Sequence, residues 1–231
     1  MKVELLKYMS DRYLSEIENE KNPGPVITLS REAGCPAKRI AESLSVALNK
    51  KMEVLGKKKE WKWVSKEILN ESARELQMDP KNIEYVFQYE QKSIIEELLS
   101  AHSSKYYKSD RKIRNTVAKV IRSMANEGHS IIVGRGGVAI TKDIPRSLHI
   151  NLHAPLEWRI IRASQKHNMS MEDAKSYIIK TDKKRQEFRN YFHGKNTDYT
   201  WFDVTFNCMA LTHDEIIEAI IKLMEVRNLL D

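Results

Sequence analysis

The chain holds 231 residues, 41% hydrophobic and 31% charged, with a net charge of +7 and a pI near 9.2, which is long for one compact domain and short for two, so one core with an inserted subdomain is expected. No apolar run approaches a membrane span, the first twenty residues hold no export-type apolar stretch, and two cysteines make neither a disulfide framework nor a metal-ligand spacing. These features point to the cytoplasm and no membrane, and the positive balance favours an anionic partner: nucleotide phosphates, nucleic acid or an acidic surface.

Leu5, Leu6, Met9, Leu14 and Ile17 recur at helical spacing, which predicts an amphipathic N-terminal helix closed by the breaker run Asn22-Pro23-Gly24-Pro25. Residues 1–25 are therefore set apart from a main domain over 26–231, and the helix offers a surface for a second copy of the chain. Val26 to Ser30 reads as a buried strand, followed by a tight turn and a helix over Pro36 to Asn49 with Ile40, Leu44 and Leu48 on one face. Trp61 to Val64 reads as a short strand, with Ser65 as N-cap of a helix through Leu76. Two helical stretches follow, Pro80 to His102 and Arg111 to Glu127, and Gly128 stops the second.

Ser130 to Val133 is a buried strand running into Gly134-Arg135-Gly136-Gly137, and Leu148 to Leu152 is another, entering a helix at Pro155. Ser170 to Asp173 has the form of a capping box opening a long basic helix, and Thr212 to Glu215 opens the last helix after a strand near Val204 to Phe206. Strands alternating with helices in this way predict a parallel sheet covered on both faces. Ligands of such sheets bind beyond the carboxyl ends of the strands, which brings the turns after Ser30, Val133 and Leu152 to one edge.

The turn from Ser30 to Arg39 sits where a phosphate-binding loop would, but it departs from the pattern in which glycine amides wrap phosphates, a lysine reaches the terminal ones and a hydroxyl holds magnesium. Lys38 stands four positions after Gly34 rather than six, Pro36 removes an amide, and Arg39 replaces the hydroxyl residue. What remains is a helix N-terminus with two cations in its first turn, suited to an anion; an ordinary basic turn is the other reading. Arg135, flanked by glycines at the end of a central strand, can grip a phosphate with two parallel hydrogen bonds, or can simply be an exposed arginine in a glycine turn. Arg159, Arg162 and the Lys183 to Arg189 cluster add cations at the same edge, although a basic helix alone is commonly a solvated face.

As an ordered set, ITLSREAGCPAKRIAESLSVAL, RKIRNTVAKVIRSMANEG running into HSIIVGRGG, LHINLHAPLEWRIIR, KTDKKRQEFRNYF and FDVTFNCMALTHDEIIEAI resemble the cytidylate kinase-like family, a branch of the nucleoside monophosphate kinases within the phosphate-loop superfamily. The resemblance implies a P-loop NTPase-like α/β fold: a parallel sheet flanked by helices, a helical monophosphate-binding insertion near 58–126 and a basic helical lid over 155–195. It implies ATP and magnesium as cofactors. Gly34, Cys35, Ala37, Lys38 and Arg39 would lie at the ATP phosphates, with Arg159 and Lys184 as donor-side cations. Arg31, Ser65, Arg114, Arg135 and Gly136 would face the acceptor, and Lys38, Arg135, Arg185 and Arg189 would carry the catalytic charge. No metal-ligating residue is assigned.

The function so implied is phosphoryl transfer from ATP to a nucleoside monophosphate, cytidylate by the family's name, with small-molecule nucleotides as partners and no general base, because the acceptor is already an anion. The alternative is a nucleotide- or anion-binding protein on the same fold with little or no turnover. It is motivated by Pro36 and Ala37, where relatives usually carry two glycines, and by Gly136, where the kinases carry an aspartate. A nucleic-acid-binding reading, suggested by the pI, Trp61, Trp63 and the helix ending at Tyr191 and Phe192, ranks behind both and predicts affinity that falls steeply with salt.

Overall fold

The structure is a computed structural model that describes residues 23–80, 109–194 and 198–230. The expected N-terminal helix and nearly all of the expected helix over 80–102 lie outside the described residues. Strand β1 (Val26–Arg31) leads into α1 (Ala37–Val54), and β2 (Lys62–Val64) into α2 (Lys66–Leu76). Then come α3 (Asp110–Glu127), β3 (Ser130–Val133), the single turn α4 (Gly137–Ile140) and β4 (Ser147–His153). Next, α5 (Leu156–His167) and α6 (Met171–His193) form a hairpin, and β5 (Val204–Asn207) precedes α7 (His213–Val226).

The strands form one sheet in the order β2-β3-β1-β4-β5, and every pairing is parallel. Alternation along the strands explains why both faces are covered. Ile27, Leu29, Ile131, Val133, Ile150 and Leu152 point into a core closed by Ile40, Leu44 and Leu48 of α1 and by Ile216 and Ile220 of α7. Val26 and Ile132 point the other way, against Ile68 of α2 and Ile113, Val117 and Ile121 of α3. A third cluster joins Ala33 of the first turn to Ile160, Ala163, Ala174 and Ile178, so the α5–α6 hairpin is packed onto that turn. Among the described residues no helix is long and apolar enough to cross a membrane.

Some local expectations are corrected. Helix α1 runs to Val54 rather than Asn49, because nothing breaks it before Gly56 and Met52 supplies one more buried contact. Ser65 stands before α2 but its hydroxyl caps nothing; instead the Glu67 carboxylate accepts the Ser65 amide at 2.8 Å. At the start of α6 only half of a capping box forms: the Ser170 hydroxyl accepts the Asp173 amide at 3.0 Å and itself donates to that carboxylate. The full box is at Thr212 and Glu215.

Candidate functional site

The register fixes the geometry at the carboxyl edge of the sheet. Leu29 pairs with Val133, and the amide of Gly134 donates to the Leu29 carbonyl at 2.9 Å, so the turn after β3 lies beside the end of β1. Arg31, the last residue of β1, pairs with Leu152 on its other side.

The first turn uses most of its own amides. Glu32 donates to the Leu152 carbonyl, Cys35 to that of Glu32 and Ala37 to that of Cys35, while the Ala33 amide donates to Asp182 Oδ1 at 2.7 Å. Pro36 has none to give. That leaves Gly34 and the residues just after Ala37 as the amides of this turn that an anion could meet, alongside the side-chain cations. Cys35 stays neutral here: contact with the Cys208 thiol and burial both push its pKa up.

Those cations line two adjoining cavities. One, of about 550 Å³, is bounded by Arg31, Arg135, Lys180, Lys184, Arg185 and Arg189, with Gly134, Gly136 and Phe188 as apolar wall. The other, of about 570 Å³, lies over the first turn and takes in Gly34, Cys35, Ala37, Lys38 and Arg39 together with Arg162 and Lys166 of α5. Among the described residues neither lining contains a carboxylate. Arg31, Tyr177 and Arg185 belong to both, and so mark the junction. Burial, followed by the charges of Arg185, Arg135 and Arg189, pushes the Arg31 pKa down to about 9. Arg185 and Arg189 are lowered as well, burial again being the largest cause. The charge of Asp182, 3.8 Å from Arg185, opposes these shifts only in part, so the cations outnumber the carboxylates around them and the pocket suits an anion.

The structure thus brings eleven of the residues singled out in the sequence (Arg31, Gly34, Cys35, Ala37, Lys38, Arg39, Arg135, Gly136, Lys184, Arg185 and Arg189) to the two cavities. Three line neither. Arg159 is buried and acts as a strut: its guanidinium donates to the carbonyls of Ala154 and Ala33 and pairs with Asp182 at 2.7 Å and Glu32 at 3.2 Å. Arg114 is buried on α3, 3.9 Å from Asp110 and stacked 4.5 Å from the Tyr191 ring centroid. Ser65 is buried at the end of β2.

Asp182 was not singled out, nor was Tyr177. The second could have been found, because Tyr177, Thr181, Lys184 and Phe188 recur at helical spacing along one stripe of α6, and all four line the first cavity. Asp182 gave no such signal, being one acid inside a basic run.

A sequence model of the cytidylate kinase-like family matches residues 26–209. No curated protein matches the chain. Among solved structures, an uncharacterized protein from Eubacterium ventriosum shares the fold, with a TM-score of 0.61, 20% identity, and coverage of 87% of this chain and 98% of that one. A shikimate kinase from Bacteroides thetaiotaomicron is more distant, at a TM-score of 0.48 and 11% identity over 87% of this chain and 97% of that one.

Proposed function

The chain belongs to the cytidylate kinase-like family, and from that premise we propose that it transfers the γ-phosphoryl group of ATP to a nucleoside monophosphate, cytidylate being the first candidate by the family's name. The observation that carries the reading is the pair of cation-lined cavities that meet at Arg31, Tyr177 and Arg185. ATP would lie over the first turn, its phosphates against Lys38, Arg39 and Arg162. The acceptor phosphate would lie against Arg135, Arg189 and Lys184, with residues 58–126 forming the acceptor side and 155–195 the lid.

In the transfer, an oxygen of the acceptor phosphate bonds to the γ-phosphorus while the bond from that phosphorus to the β–γ bridging oxygen breaks, and ADP leaves with that electron pair. Charge spreads over the equatorial oxygens in the transition state, and Arg135, Arg185 and Arg189 would neutralise it. No proton has to be removed from the acceptor, so no general base is needed.

Magnesium accompanies ATP in most such reactions, but the described residues do not form a protein ligand set for it. The carboxylates nearest the first turn, Glu32 and Asp182, are both tied to Arg159, and no Ser or Thr follows Lys38.

A coupled assay of ADP formation over a panel of nucleoside monophosphates tests the reading. Turnover with one monophosphate, reduced in Lys38→Ala, supports it; no ADP above the Lys38→Ala background despite nucleotide binding rejects it. The second reading, a nucleotide-binding protein without turnover, is favoured by one observation: Asp182 already holds the Ala33 amide that an intact loop would turn toward phosphate.

A further inference from the structure

Arg31 alone among the cations at this site combines two features. It lines both cavities with its neighbours Tyr177 and Arg185, whereas Lys38 and Arg39 line only the cavity over the first turn and Arg135 and Arg189 only the other. Its guanidinium also has no acceptor among the described residues, while that of Arg185 already donates to the Arg31 carbonyl at 3.1 Å and lies 3.8 Å from Asp182.

The turn after β3 is shaped around it. Gly134 has a φ of +70°, and a Cβ added there would sit 1.5 Å from Arg31 Nη1. The missing side chain is therefore the space in which the guanidinium lies, between the glycine corner and the first turn. A half-buried cation held in a tailored slot at the junction of two cation-lined cavities, near the charge of Asp182 but with no hydrogen-bond acceptor among the described residues, calls for a ligand that reaches it from both sides.

We propose that Arg31 is the junction cation of the transfer site, gripping the terminal phosphate of the donor and the phosphate of the acceptor together, and so taking the place of a lysine at the usual phosphate-loop spacing, from which Lys38 is displaced. The assignment rests on the kinase reading for its catalytic consequence, and on the cavities alone for its anion-binding one. The planar fork of the guanidinium, with donors along two edges, suits a group that must face two phosphates at once; the single ammonium of Lys38, exposed in the first turn of α1, does not.

The test compares Arg31→Ala and Arg31→Lys with Lys38→Ala and Arg189→Ala, by titration calorimetry with ATP and with the monophosphate separately, and by turnover. The expected pattern is that Arg31→Ala weakens both nucleotides about tenfold or more and lowers kcat about 100-fold, with part of the loss recovered in Arg31→Lys. Lys38→Ala weakens ATP alone, and Arg189→Ala the monophosphate alone. Unliganded Arg31→Ala should melt no lower than wild type, because it removes one of four crowded guanidinium groups. If Arg31→Ala keeps either affinity within about twofold of wild type, the proposal is overturned.

Failure of the kinase reading has a different signature: no wild-type turnover on any monophosphate. In that case inorganic tripolyphosphate, which carries no base, is the probe. A rise in melting temperature in wild type that is lost in Arg31→Ala keeps the junction cation while the kinase falls, and an equal rise in both removes it.

Discussion

The carboxylate of Asp182, in the middle of α6, accepts the amide of Ala33 at 2.7 Å across 149 positions of sequence. Its second oxygen pairs with Arg159 at 2.7 Å, so one side chain joins the first turn, α5 and α6. Asp182→Ala leaves the buried Arg159 with Glu32 as its remaining carboxylate and the Ala33 amide with no acceptor. Because Glu32 still partly compensates and the Asp182 side chain keeps some solvent contact, the expected loss is roughly 2–3 kcal/mol rather than the full cost of orphaning a deeply buried charge. Asp182→Asn, which can still accept the amide, should lose less. Urea unfolding of the two variants checks both the size and the order.

At the opposite end of the sheet, His129 is buried against Trp61, with ring centroids 5.2 Å apart. Burial, then the charges of Lys59, Arg146 and Lys57, pushes its pKa down to about 4. An unfolded histidine titrates near about 6.5. Between these values the unfolded chain binds a proton that the native state does not, so stability falls as pH drops from about 6.5 to about 4, with a limiting slope of about 1.4 kcal/mol per pH unit. His129→Asn removes the titration while tolerating the residue's left-handed backbone, φ 53°. Melting curves across that window should be flatter for the variant; parallel curves would mean that the native imidazole is already charged.

The sheet and its order of helices were readable because each strand carries a signal of its own kind. Ser130 to Val133 is a short apolar run ended by glycine, and it is buried at every position. The site was readable to the extent that it follows from the ends of those strands: Arg31 and Arg135 had to meet once β1 and β3 were neighbours. Which arginine of an i, i+3 pair turns inward was not readable. Arg159 and Arg162 look alike in sequence, yet the first is buried among Glu32, Asp182 and two carbonyls while the second is exposed over Trp158. That choice is made by α5 packing on Ala33 and by an acid on the next helix, neither of which local spacing encodes. Ser65 shows the same limit: its residue type suits a cap, but Glu67 reaches the amide first.

The lowered pKa of Arg31 has a measurable sign. Burial and three neighbouring arginines make the native state bind this proton less tightly than the unfolded chain, so below about 9 the charged group opposes folding, and the opposition is relieved as pH climbs past about 9. A bound phosphate would relieve it without any change in pH, by adding counter-charge to that of Asp182. Inorganic phosphate should therefore raise the melting temperature of wild type more than chloride does at equal ionic strength. The excess should be largest near neutral pH and shrink above about pH 9, and Arg31→Ala should show a smaller excess throughout. An excess identical in the two proteins would place the phosphate elsewhere.

Gly134→Ala separates backbone strain from loss of the site. The residue sits at φ +70°, where an L side chain costs about 1–2 kcal/mol. That alone predicts a modest drop in melting temperature. The added methyl would also overlap Arg31 Nη1, and since no acceptor among the described residues holds the Arg31 guanidinium, the cheaper response is for the arginine to swing away rather than for β3 to shift. Binding should then suffer more than folding: the variant stays folded with a stability loss of about 1–2 kcal/mol, while its stabilisation by ATP, the monophosphate or tripolyphosphate falls to that of Arg31→Ala. The double variant Arg31→Ala with Gly134→Ala decides whether the two effects share one cause. If the methyl acts through the arginine, adding it to Arg31→Ala costs no further ligand affinity; an additive loss would mean that the corner binds the anion through its own backbone, independently of Arg31.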